Sequence, residues 1–152
     1  MEAIILCGLQ GAGKTTLYRE RWQATHVLIS MDELHARARE AALLEECLAE
    51  GRPFVVDNTN PTAADRRRYV VPAREAGFRV AGYLVDAAAH EALGRNAGRS
   101  GTARIPDRGV VGTARRFIRP TPAEGFDELW HATAAPGGAF RIEPLVSTEP
   151  LF

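Results

Sequence analysis

Gly8-Leu9-Gln10-Gly11-Ala12-Gly13-Lys14-Thr15 is the stretch that decides the fold of this 152-residue chain. It matches the phosphate-binding loop pattern G-x-x-x-x-G-K-[ST] at every fixed position. The apolar run from Glu2 to Cys7 before it is typical of a buried strand, and the residues from Lys14 to about Ala24 are typical of a helix. Strand, glycine loop and helix occur in the order that the motif requires, so the sequence predicts a nucleoside triphosphate site.

The residue types of this loop suit phosphate chemistry. The glycines let backbone N–H groups converge on one point, and the start of the helix adds its positive dipole end. Lys14 is the only lysine in a chain with eighteen arginines, and its compact charge can follow a phosphate as it moves. Thr15 can supply a hydroxyl to Mg²⁺, and Thr16 can reach a phosphate oxygen. The predicted ATP-binding residues of the loop are Gly8, Leu9, Gln10, Gly11, Ala12, Gly13, Lys14, Thr15 and Thr16.

Strands and helices alternate along the rest of the chain. The pattern predicts an α/β fold, with a parallel sheet flanked by helices on both faces, in one domain that spans residues 1–152. Further strands are expected near 26–30, 53–57, 78–85 and 139–145, and further helices near 32–50, 62–76, 87–97 and 107–118.

Composition limits the remaining possibilities. No apolar run is long enough to cross a membrane, and the N-terminus lacks the basic region of a signal peptide, so we expect a cytoplasmic protein. Cys7 and Cys47 have no metal-type spacing and are expected to be buried free thiols. The net charge is zero overall, but residues 60–120 carry 12 basic and 5 acidic groups, a net of +7. That excess fits either a phosphate-rich ligand or ordinary solvated helices.

Three further features fall at the carboxyl ends of predicted strands, where ligands bind in such sheets. Asp57 ends the third strand, where it can act on the magnesium side, directly or through water, or cap a turn. Asp32 begins a helix, and it can serve either as a general base or as an N-terminal cap. Arg95 and Arg99 share one helix face, and they are either donors to a transferring phosphoryl group or solvated arginines.

Several segments resemble the kinase half of animal polynucleotide kinase/phosphatase and, more loosely, the phage polynucleotide kinase. The resemblance covers about Ala3 to Phe126. The segments are Val56-Asp57-Asn58-Thr59-Asn60-Pro61, then Ala64, Arg66 and Arg68-Tyr69-Val70, then Ile105-Pro106, Arg116-Phe117, Pro120-Thr121 and Ala123-Glu124-Gly125-Phe126.

The resemblance implies a P-loop kinase fold and an ATP-dependent, Mg²⁺-dependent kinase. Such an enzyme transfers the γ-phosphate of ATP, or of another nucleoside triphosphate, to the 5′-hydroxyl of a DNA or RNA end. Asp32 then matches the general base, and Lys14 and Thr15 match the ATP and magnesium groups. Arg99 matches an arginine that bridges the donor phosphates, with Arg95 nearby, in a lid segment near 95–108.

On the acceptor side the resemblance implies Asp57, Asn58, Asn60 and Arg66. Three positions depart from the family. Ser30-Met31 stands before Asp32 where Asn-Arg is usual, and His35 replaces a phage-type arginine. No Asp-x-Asp-x-Thr segment occurs in these 152 residues, so we expect no 3′-phosphate removal by the aspartyl route of the phosphatase half. A small-molecule kinase and a nucleotide-binding regulatory ATPase module are the alternatives.

The single lysine provides a direct test of the loop. An ATP-like, lysine-reactive reagent is expected to label Lys14 and, apart from the N-terminus, nothing else, as read by peptide mass spectrometry. Excess magnesium-ATP should protect Lys14, and Lys14→Met should abolish transfer while the protein still folds. Labelling that ATP does not reduce would mean that Lys14 lies away from the phosphates.

Overall fold

A computed structural model describes residues 1–86, 107–135 and 139–146. Within these residues six strands form one sheet in the order β2-β3-β1-β4-β5-β6. The strands are β1 Glu2–Cys7, β2 Val27–Ile29, β3 Phe54–Asp57, β4 Arg79–Asp86, β5 Glu128–Ala134 and β6 Phe140–Pro144. The helices are α1 Lys14–Arg21, α2 Met31–Leu34, α3 Arg37–Glu50, α4 Ala63–Glu75 and α5 Asp107–Arg116, and Pro122–Glu124 forms a 3₁₀ turn.

The central strand β1 shows why the chain forms layers. Ala3 and Ile5 face one side of the sheet and pack with apolar side chains of α3 and α4. Ile4 and Leu6 face the other side and pack with α1. All four are fully buried, as expected for a parallel strand covered on both faces. The predicted α/β sheet with helices on both faces is thereby confirmed.

The helix expected over 32–50 is broken in two. Helix α2 ends at Leu34, His35 adopts a left-handed backbone with φ of 60°, and α3 begins at Arg37. This break could not be predicted, because His35 has no glycine or proline beside it. The turn separates the short helix that carries Asp32 from the long helix α3.

The far edge of the sheet also differs from expectation. Strand β5 was not predicted, because its partly buried mixture of polar and apolar residues gives no clear period. It pairs parallel to β4, and β6 then pairs antiparallel to β5, so the sheet is mostly rather than wholly parallel. The helix expected over 87–97 lies outside the described residues. No helix within the described part of the chain is long and apolar enough to cross a membrane.

Arg66 has a different place from the acceptor-side position that the sequence predicted. Its side chain is fully buried, and it donates to both carboxylate oxygens of Glu124, at 2.7 and 3.0 Å, and to the Asn60 carbonyl at 2.9 Å. A buried guanidinium needs such partners, since an unpaired buried charge is costly. Arg66 therefore fastens α4 to the 3₁₀ turn, and the prediction that it faces an acceptor is corrected.

Breaking this pair should destabilise the fold. Arg66→Ala is expected to lower the free energy of unfolding by about 3–5 kcal/mol, because it removes a fully buried side chain and leaves the largely enclosed Glu124 without its charge partner. Urea unfolding followed by circular dichroism measures the change. Arg67→Ala removes the same charge from an exposed neighbour and should cost no more than about 0.5 kcal/mol. Equal, small losses in the two variants would contradict a structural role for Arg66.

Candidate active site

The glycine loop joins β1 to α1 and has the geometry of a phosphate cradle. Gly13, the residue before α1, has φ of 107°, which favours glycine. At Gly8 a Cβ atom would lie 2.3 Å from the Val85 carbonyl oxygen, so a side chain cannot fit there. Lys14 Nζ donates to the carbonyls of Gly8 and Leu9 at 2.8 and 2.9 Å. Its ammonium is thus held at the loop, where phosphate oxygens would bind.

Thr15 and Asp57 meet beside this loop. The Thr15 hydroxyl donates to Asp57 Oδ2 at 2.7 Å, across 42 residues of sequence. Asp57 ends β3, the strand next to β1, so parallel pairing brings the carboxylate to the start of α1. A hydroxyl and a carboxylate oxygen are ligands that Mg²⁺ accepts, together with water and phosphate. The residues present at this position therefore fit a magnesium ion.

Asp32 forms part of the wall of the same cleft. It is exposed on α2, and Asn58 fixes that helix by accepting a hydrogen bond from the Met31 N–H at 3.0 Å. The cleft brings most of the predicted site residues together, and Met31 and Arg37 contribute to it as well. Its lining consists of Gln10, Gly11, Gly13, Lys14, Thr15, Thr16, Met31, Asp32, Arg37, Asp57, Asn58 and Thr59.

A buried carboxylate that the sequence did not single out organises this wall. Glu40 is 1% exposed and accepts hydrogen bonds from Arg37 (2.8 Å), Asn58 (2.9 Å) and Tyr69 (3.0 Å). Asn58 Nδ2 also donates to the Tyr69 hydroxyl at 3.0 Å, so its amide is bonded on both sides. Glu40 thus connects the helix of Asp32, through Asn58, with an arginine in the cleft.

The charge states in this network follow from its contacts. Burial, followed by the charge of Glu40, raises the pKa of Tyr69, so its hydroxyl keeps the proton that it donates. Burial acts to lower the pKa of Arg37, but the hydrogen bond and the charge of Glu40 outweigh it and raise that pKa. Arg37 is therefore a cation whose position is fixed by the protein interior.

Other predicted site residues lie elsewhere. Asn60 is buried, and its side chain donates to the Leu6 carbonyl at 2.8 Å, which ties the turn after β3 to the end of β1. It does not line the cleft, so the prediction that it faces an acceptor is corrected. Arg95 and Arg99 lie outside the described residues, as does the expected lid near 95–108 up to residue 106. Cys7 and Cys47 are buried free thiols, and burial raises the pKa of Cys7 to about 12.

The sheet order, the glycine loop and the cleft define a P-loop kinase fold. The model of the AAA domain family AAA_33 matches residues 4–120, and the chain belongs to this family. Thus a kinase-like P-loop domain occupies most of the chain.

A curated relative of this chain shows low sequence identity. A protein of Acanthamoeba polyphaga mimivirus, described as a candidate bifunctional polynucleotide phosphatase/kinase, is 26% identical over 84% of this chain. The match covers 32% of that protein, so the chain spans about a third of its length.

Two solved structures share the fold. A gluconokinase from Sinorhizobium meliloti 1021 has a TM-score of 0.67 at 18% identity, covering 89% of this chain and 84% of its own. Kti12 of Chaetomium thermophilum, solved with ADP-AlF3, has a TM-score of 0.63 at 19% identity, covering 85% and 87%.

The network around Glu40 can be tested without reference to a substrate. Glu40→Gln puts an amide N–H₂ where three donors converge, so we expect the free energy of unfolding to fall by about 1–3 kcal/mol. Tyr69→Phe removes a single donor and should cost about 1 kcal/mol. Urea unfolding measures both.

Glu45→Gln is the matched control, because Glu45 is exposed on the same helix. It should leave the unfolding curve unchanged. A Glu40→Gln curve that superimposes on that control would refute the idea that the carboxylate organises the wall of the cleft.

Proposed function

We propose that this protein is an ATP-dependent polynucleotide 5′-hydroxyl kinase. The observation that carries the proposal is the single cleft whose lining includes Lys14, Thr15 and Asp57 together with Asp32. Phosphoryl transfer needs these groups opposed, with donor phosphates on the loop and an activated hydroxyl facing them.

Two observations favour a nucleic acid end as the acceptor. The segment around Asp57 and Asn58 resembles the polynucleotide kinase family, and both residues line the cleft. The mimivirus relative, whose description includes a polynucleotide kinase, matches most of this chain. The sugar-kinase likeness lies at 18% identity, which concerns the fold and does not extend to the acceptor.

Each residue then has a defined task. Asp32 accepts the proton of the 5′-hydroxyl as its oxygen attacks the γ-phosphorus in line, and the bond to the β–γ bridging oxygen breaks to release ADP. Loop N–H groups and Lys14 stabilise the charge on the phosphate oxygens. Thr15 and Asp57 would hold Mg²⁺, which when bound neutralises further charge on those oxygens. Arg99, with Arg95 beside it, stays the sequence-predicted donor-phosphate arginine.

End-labelling tests the acceptor directly. Purified protein, labelled ATP and Mg²⁺ are incubated with 5′-hydroxyl DNA, 5′-hydroxyl RNA, mononucleosides and sugars side by side. We expect transfer to one or both oligonucleotides and not to sugars. Transfer to a small alcohol alone would mean that the acceptor is a small molecule and not a nucleic acid end. Hydrolysis of ATP without transfer would favour a regulatory module.

The role of Asp32 separates a kinase from a binding module. Asp32→Asn keeps the shape of the side chain in the first turn of α2, but it cannot accept the hydroxyl proton. We expect transfer to a 5′-hydroxyl end to fall by roughly 10²–10⁴-fold, with the Kd for ATP and the Tm little changed. Single-turnover assays, calorimetric ATP titration and thermal unfolding measure the three quantities.

Glu33→Gln is the matched control, because it neutralises the adjacent carboxylate on the same short helix. It should retain near-normal transfer. Near-normal transfer by Asp32→Asn as well would leave Asp32 as a first-turn carboxylate that only favours the helix dipole, and Asp57 would become the next candidate base.

A further inference from the structure

A second cavity adjoins the cleft on the side of Asp32. It is a groove between α3 and α4, lined among the described residues by Arg37, Glu40, Ala41, Leu44 and Arg68. Arg37 lines both the groove and the cleft, so one cationic side chain is common to the two cavities. A ligand that fills the cleft at Asp32 can therefore extend past Arg37 into the groove.

The groove combines an apolar floor with two cationic side chains. Ala41 and Leu44 form the floor, while Arg37 and Arg68 supply the charges. The one acidic residue of the lining, Glu40, already receives hydrogen bonds from Arg37, Asn58 and Tyr69. The site thus suits a ligand with an apolar planar part and flanking negative charges.

We infer that this groove holds the second nucleotide of the acceptor strand. The inference rests on the proposed function and deepens it. With the 5′-hydroxyl of the terminal nucleoside at Asp32, its 3′-phosphate lies at Arg37. The next base then packs on Ala41 and Leu44, and the next phosphate lies at Arg68. Arginine is well suited to such phosphate contacts because its planar fork donates two parallel hydrogen bonds.

Glu40 links the proposed first phosphate contact, Arg37, to the helix that carries Asp32. It bonds both to Arg37 and to Asn58, the residue that holds the helix of Asp32. The distance between the general base and the first phosphate contact is therefore set by one buried carboxylate. A nucleoside without a 3′-phosphate would leave Arg37 without its ligand, so a nucleotide is expected to be a better acceptor than a nucleoside.

Acceptor length provides the test. KM is measured for a nucleoside 3′-monophosphate and for a dinucleotide that also ends in a 3′-phosphate, at several salt concentrations. The wild-type KM should be roughly tenfold lower for the dinucleotide, the size expected for one additional charge-assisted hydrogen bond. Arg68→Ala should remove that advantage and reduce the salt slope for the dinucleotide by about 0.7, while the mononucleotide KM is unchanged.

Two matched controls keep the outcome specific. Arg67→Ala removes the same charge from an exposed position outside the groove and should preserve the dinucleotide advantage. Ala41→Glu adds bulk and negative charge to the groove and should abolish the advantage, whereas Ala42→Glu on the exposed neighbour should not. Thermal unfolding should show that all four variants are folded.

The results distinguish a wrong assignment of the groove from a wrong assignment of the kinase function. Equal KM values for the two acceptors, or identical behaviour of Arg68→Ala and Arg67→Ala, would contradict the assignment of the second nucleotide to the groove. The proposed 5′-hydroxyl kinase activity would be unaffected. Failure of the wild-type protein to phosphorylate either acceptor would overturn the proposed function itself, and the groove assignment with it.

Discussion

The turn that follows β3 is the constraint on which the site depends. Residues 57–60 each bond to a different part of the molecule, and their partners are Thr15, Met31, Gly8 and Leu6 respectively. Because β3 pairs in register with β1, this turn emerges directly beside the glycine loop. A shift of the turn would therefore move Asp57, the helix that carries Asp32 and the loop together.

That arrangement explains why the cleft can be formed before any ligand binds. Electrostatic catalysis is most effective when charges and dipoles are already in position, since no reorganisation is then needed during the reaction. Here the positions derive from partly buried hydrogen bonds between side chains. Glu40 and Asn58 supply them on the side of Asp32, and Asp57 supplies them on the side of the phosphate loop.

What could be predicted from the sequence is what is encoded locally. The phosphate loop and Asp57 are recognised from spacing and from their position after apolar strands. The Glu40 network could not be, because its hydrogen bond to Tyr69 joins residues 29 apart and no short motif marks it. The break at His35 lacked a glycine or proline signal, and β5 lacked a clear period. Arg66 was misplaced because an arginine is almost never fully buried unless paired, and its partner lies 58 residues away.

The residues that carry the family resemblance fall into two groups, those that line the cleft and those that hold the fold together. Asp57 and Asn58 line the cleft, whereas Asn60 and the pair Arg66 and Glu124 hold the fold together away from it. Asn60, Arg66 and Glu124 therefore indicate a shared architecture rather than a shared substrate. Residues that hold the fold together are needed whatever the acceptor is. The acceptor therefore has to be inferred from the residues that line the cleft and from the two arginines of the groove, Arg37 and Arg68.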